Sequence, residues 1–197
     1  MVAASKLKLT AVEYLARERT ADNKLEFIDG EIYAMTGASE NHNTISLNLA
    51  AELNFKLKNS PCKPFMADMQ VGVLGDYYYP DIVVVCEPHE DDTTYIKHAP
   101  ILIVEVLSKN TRAFDHSTKQ IKYLQIPSLE YYVLIEQDYC EVSILSRAAG
   151  FIPQYYYLGD NVDLPLLDVA VSVNDIYDRV ENEDKVSYLE GLVGEKA

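Results

Sequence analysis

Seven consecutive residues, Ile101-Leu-Ile-Val-Glu-Val-Leu107, hold a single charge and no turn former. A strand this apolar has no face to give to water, so it belongs in a sheet covered on both sides. The chain can supply that cover. At 197 residues a folded chain buries roughly 70% of its extended surface, enough for a core without disulfides or structural metal. The hydrophobic fraction of 48% and the charged fraction of 24% are ordinary for a globular protein and exclude disorder as the main state.

The elements around that strand read as a mixture. Residues 10–20 predict a short helix with Thr10 as N-cap and Glu13 as its reciprocal partner. Leu25 to Met35 predicts a hairpin, because Asp29-Gly30 supplies the positive φ that a two-residue turn needs. Ile45, Leu49, Leu53 and Leu57 recur every fourth residue and make one stripe of a helix that Ser60-Pro61 closes. Phe65 to Val73 alternates, and Tyr79 to Cys86 is mostly β-branched. The acidic stretch Glu87–Asp92 is a solvated loop, and residues 115–126 predict a helix carrying Ile121 and Leu124. A second hairpin turns at Gln137-Asp138, short strands fill 151–171, and Ser172 with Asp175 predicts a second capping box opening a terminal helix. No repeat or linker divides residues 1–197. The expectation is a single α/β domain, a central mixed β-sheet flanked by a few helices, with extra β-hairpins.

Net charge and cysteines narrow the chemistry. A charge of −14 argues against a protein that coats polyanions generally, while leaving room for a local basic site. Cys62, Cys86 and Cys140 are odd in number, far apart and in no C-x-x-C pair, so neither a disulfide framework nor a zinc knuckle is expected. Apolar runs reach about seven residues against the roughly 20 that span a bilayer, so no membrane partner is expected and a cytoplasmic location is. There is no G-x-S-x-G elbow, and Thr93 stands where a helical zinc-protease motif begun by His89-Glu90 would need histidine.

Two acids occupy positions that a purely structural chain would fill otherwise. Glu105 sits inside the apolar run and by alternation shares a face with Ile101, Ile103 and Leu107; Asp81 follows Pro80 and opens Ile82-Val-Val-Val85. A carboxylate on such a face costs several kcal/mol unless compensated. A divalent cation shared with an acid on the next strand would compensate it, and Mg²⁺ takes such oxygen ligands. The bland alternative is a strand-entry aspartate and a glutamate paired with a nearby cation. Between 105 and 123 four Lys or Arg residues face two acids, and Asp115, Lys119 and Tyr123 are spaced to share a helix face.

Pro80-Asp81, Val104-Glu-Val-Leu-Ser108, Thr111 with Asp115, Lys119 and Tyr123, and Ser128-Leu-Glu-Tyr-Tyr-Val-Leu134 together resemble the Uma2 family of the PD-(D/E)XK restriction-endonuclease-like superfamily. Leu25–Glu31 and His42 fit the same pattern, and the resemblance spans about 25–180. It implies an Mg²⁺-dependent endonuclease, with Mn²⁺ as possible substitute, that hydrolyses phosphodiester bonds in nucleic acid, DNA being the expected substrate. It places Asp81 and Glu105 as catalytic metal ligands, with the Val106 carbonyl completing the protein's share. The superfamily lysine falls two residues after Glu105, where this chain has Leu107. The resemblance moves that role to Lys119, with Lys109 and Lys122 as fallbacks. Glu26, His42 and Tyr123 are supporting candidates. A homodimer is compatible with cutting two strands. The alternative from another class is a catalytically weak or inert nuclease fold used for binding or assembly, which the −14 charge and Leu107 favour. A third possibility is a structural carboxylate pair that binds metal without nucleic acid.

Overall fold

The computed structural model describes residues 2–5, 8–35, 37–109 and 111–194. Two six-stranded sheets organise them; of the hairpins expected from sequence, the one at 25–35 belongs to a second sheet, and the one around Gln137-Asp138 joins the sheet of the apolar strand. The inner sheet is built from β4 (Lys63–Met66), β7 (Ile82–Val85), β9 (Leu102–Leu107), β10 (Tyr131–Glu136), β11 (Glu141–Ser146) and β12 (Pro153–Tyr157), in the order β12-β11-β10-β9-β7-β4. The outer sheet uses β1 (Val2–Ser5), β2 (Leu25–Ile28), β3 (Glu31–Ala34), β5 (Gln70–Val73), β6 (Asp76–Tyr78) and β8 (Ile96–Lys97), ordered β1-β3-β2-β6-β5-β8. A ribbon of β13 (Asn161–Leu164) and β14 (Val169–Ser172) completes the strands.

Strand β9 is central and buried along its whole length, as its composition demands. Leu102, Val104 and Val106 join an aliphatic cluster with Ile45, Leu49 and Leu53 of α2 (Glu40–Lys56), its C-cap Leu57 and the β13–β14 ribbon. Ile103 and Leu107 face the other way, into a cluster with Val83, Tyr123, Tyr132 and Leu134. Ile101 departs from the expected alternation: it precedes the strand and packs on the aliphatic side. The third cluster, Tyr14, Leu25, Phe27 and Ile32, seats α1 (Ala11–Glu18) on the outer sheet.

Thr10 caps α1 in a full capping box with Glu13, as its sequence predicts. Asp29 and Gly30 have φ of 50° and 88°, the pair of positive values behind the β2–β3 hairpin. Other expectations need correction. The alternating stretch 65–73 is not one strand: the chain turns at Ala67 (φ 56°), so β4 enters the inner sheet and β5 the outer. Ser172 accepts a hydrogen bond from the Asn174 N–H, but no reciprocal bond from Asp175 is formed among the described residues, and it opens the four-residue α5 (Val173–Ile176). The long terminal helix is α6 (Glu183–Gly194). The helix expected at 115–126 has three parts: α3 (Arg112–Phe114), a π-helical stretch (Asp115–Lys119) and α4 (Gln120–Tyr123), with Ile121 turned to solvent. A disulfide joins Cys62 to Cys86, contrary to the expectation of none. The two are 24 residues apart in sequence. The antiparallel β4–β7 register, Lys63 opposite Val85, brings them face to face one step further along. Cys140 is free and buried. Among the described residues no helix is long and apolar enough to cross a membrane.

Candidate active site

The chain passes from outer to inner sheet between Tyr78, the end of β6, and Ile82, the start of β7. Asp81 stands at that crossing. Its carbonyl accepts the Ala67 N–H at 2.9 Å, and its Oδ2 accepts the Val106 N–H at 2.7 Å. The register Ile82 opposite Val104, continued one step, sets Asp81 across from Glu105, a position where Cβ atoms are about 5 Å apart. Val106 therefore enters the site through its amide, which anchors Asp81; sequence reasoning considered only its carbonyl.

Glu105 is buried, and two side chains from the helical segment close on it. Lys119 Nζ lies 3.0 Å from Glu105 Oε1, and the Tyr123 hydroxyl donates to the same oxygen at 3.1 Å. Lys119 also lies 3.3 Å from Glu26 Oε1 on β2 and 3.5 Å from Asp115 Oδ1. Asp115 and Lys119 are four apart, and in the π-helical stretch both are buried. The Tyr132 hydroxyl donates to the Asp115 carbonyl at 3.0 Å and fixes that stretch against β10.

His42 reaches Asp81 from the first turn of α2, with Nε2 3.3 Å from Oδ2. Its own N–H is satisfied by the cap, Ser39 Oγ, at 3.1 Å, and the Ser39 hydroxyl donates in turn to Gln137 beyond β10. The His42 ring is thus aimed at a carboxylate. The two fallback lysines lie elsewhere. Lys122 is bonded to Asp29 at 2.9 Å and Asp76 at 2.7 Å, bracing the hairpin of the outer sheet. Lys109 is exposed on the loop after β9, whose next residue, Asn110, lies outside the described residues. Arg112 forks onto Glu136 and reaches Asp138 at 3.2 Å, contacts between segments too far apart in the chain for residue spacing to signal.

Electrostatics follow from burial. Burial pushes the Glu105 carboxyl well above the usual carboxylate range; Lys119 opposes that shift, and Asp115, Asp81 and Glu26 add to it. For Lys119 burial favours the neutral amine, but Glu105, Glu26 and Asp115 outweigh it and hold the ammonium well above its ordinary pKa. Burial favours neutral His42 too, yet its hydrogen bond to Asp81 and the charges of Asp81 and Asp115 raise the imidazole. Four carboxylates thus share one lysine and one raised histidine. Two of the buried oxygens, Glu26 Oε2 and Asp115 Oδ1, have no hydrogen-bond partner among the described residues.

A buried mixed sheet presenting acids from two adjacent strands, with a lysine from the helix that follows, defines a nuclease-like α/β protein. The chain belongs to the Uma2 family, described as "Putative restriction endonuclease", whose pattern matches residues 11–174. Two Synechocystis sp. relatives are both named uncharacterized proteins. One, sll1609, is 40% identical over 141 residues, covering 70% of this chain and 80% of its own. The other, slr1290, is 31% identical over 174 residues, covering 86% and 92%. The fold matches a crystal structure titled a "putative nuclease belonging to DUF820" from Anabaena variabilis, with a TM-score of 0.73 at 19% identity, over 88% of this chain and 99% of that one.

Proposed function

We propose that the chain is an Mg²⁺-dependent endonuclease that hydrolyses phosphodiester bonds in DNA. The observation that carries the proposal is the buried Lys119 ammonium, 3.0 Å from Glu105 on the strand facing Asp81. The donor set fits a hard cation: oxygen ligands, negative charge in excess of the local cations, and, on the neighbouring Glu26 and Asp115, buried oxygens with no hydrogen-bond partner among the described residues. Among the described residues no three His, Cys, Asp or Glu side chains form a closed metal cage. Mg²⁺ does not ask for one, since it takes one or two carboxylates and fills its remaining positions with water and phosphate oxygens. Asp81 and Glu105 would hold it, with the Val106 carbonyl. Bound there, the ion would supply Lewis-acid neutralisation of the phosphate and would acidify water.

The chain's own groups do the rest. Lys119, kept charged by its acidic neighbours, stabilises negative charge that develops on the phosphate. Tyr123 orients Glu105, while His42 and the Val106 amide orient Asp81. A second reading, a binding or assembly module with negligible turnover, draws support from the near-complete burial of Lys119 and its commitment to three carboxylates.

Conversion of supercoiled plasmid to nicked circles tests the proposal. Wild type nicks with Mg²⁺ or Mn²⁺ and stops with chelator, whereas Asp81→Asn and Glu105→Gln lose about a thousandfold or more. Equal behaviour of all three proteins would leave the binding module as the surviving account.

A further inference from the structure

Glu26 is the site carboxylate that comes from the outer sheet. It is 1% exposed. Its Oε1 accepts the Tyr79 N–H at 2.9 Å, just before the chain crosses to Asp81, and the same oxygen stands 3.3 Å from Lys119. Its Oε2 is buried without a hydrogen-bond partner among the described residues. A glutamine would serve the Tyr79 amide equally well, without the desolvation cost of a buried charge. What the charge adds is its hold on Lys119. Asp115 moves with the helical segment that carries Lys119, and Glu105 fixes the ammonium relative to β9 alone. Glu26 supplies the second fixed point, on a different sheet.

We infer that Glu26 is a positioning residue, which locks the Lys119 ammonium between the two sheets and so sets its distance from Glu105. Its kinetic consequence rests on the role proposed above for Lys119; its structural consequence does not. Amine acetylation followed lysine by lysine with peptide mass spectrometry reads the structural part. In wild type, Lys119 reacts far more slowly than the exposed Lys58. In Glu26→Gln, Lys119 reacts about tenfold faster than in wild type, because the amine loses its tie to the outer sheet and opens more often to the reagent. Lys122, held by Asp29 and Asp76, stays unchanged. Glu26→Asp keeps the charge but shortens the reach and gives a smaller acceleration. If Glu26→Gln melts below the assay temperature, the Glu26→Asp acceleration decides alone. An unchanged Lys119 rate in the folded variants overturns the inference.

In the nicking assay, Glu26→Gln lowers kcat about 10- to 100-fold, in the range of losses for an orienting partner, with KM for plasmid unchanged; a change confined to KM counts against positioning. A wild type without activity would fail the nuclease proposal while leaving the labelling result to stand or fall separately.

Discussion

The two sheets have six strands each, yet they are put together differently. The inner one pairs β9 and β10 over six consecutive residues and backs them with an aliphatic cluster. The outer one joins its two halves through a single partner pair, Phe27 opposite Tyr77, and uses polar ties such as Tyr14 with Leu25 and Gln70. Asp81 and Glu105 are mounted at the stiff inner sheet, and Glu26 is delivered from the looser outer one. Placement of the paired acids therefore rests on close packing, whereas placement of the cation rests on charge.

Changes can be ranked against that contrast. The largest effect belongs to Lys119→Met, which leaves Glu26, Glu105 and Asp115 facing one another without a cation. Urea unfolding should report a loss of about 3–5 kcal/mol. Lys122→Met, which removes a partly exposed tie of the outer sheet, should cost about 1 kcal/mol or less. If the two lysines prove equal, charge is not what holds the site. Next comes packing: Leu53→Ala, behind the inner sheet, should cost about 3–4 kcal/mol, and Leu25→Ala, in the outer cluster, about 2–3. The reverse order would dismiss the stiffness contrast. Thr10→Ala should cost about 1 kcal/mol by opening the capping box of α1, against about half that for Ser172→Ala, whose cap is a single bond.

The smallest effect is a pH dependence. His42 is raised in the folded state, so the contact with Asp81 stabilises fully below the imidazole's unfolded pKa, about 6.5. That stability fades as pH rises through the higher folded value. His42→Gln should flatten the stability curve of metal-free protein in that window. A curve parallel to wild type would remove the ion-pair character of this contact.

Local chemistry was legible in the sequence, and contacts between distant segments were not. Asp29-Gly30, the Thr10–Glu13 box, the four-residue stripe of α2 and the apolar β9 all announce themselves, because each depends on neighbours within a few residues. Glu105 was visible as a charge where none belonged. The break at Ala67 left no mark, since alanine is no turn former, yet it holds a positive φ where the chain leaves one sheet for the other. The Cys62–Cys86 bridge depends on register, and Glu26 meets Lys119 only once both sheets exist. His42 gave the least warning, for a histidine in a first helical turn carries no trace of the aspartate it will face.

The π-helical stretch carries a structural consequence of its own. There the Gln120 N–H reaches back five residues to the Asp115 carbonyl, so the turn accommodates one residue more than an α-helix would. Removing a single residue, such as the half-buried Thr118, would let the segment relax to ordinary pitch. Everything downstream would then swing by about 100°, and an amine now sealed among acids would be carried toward the bulk liquid. The spare residue works as a rotational setting for the tooth that engages both sheets.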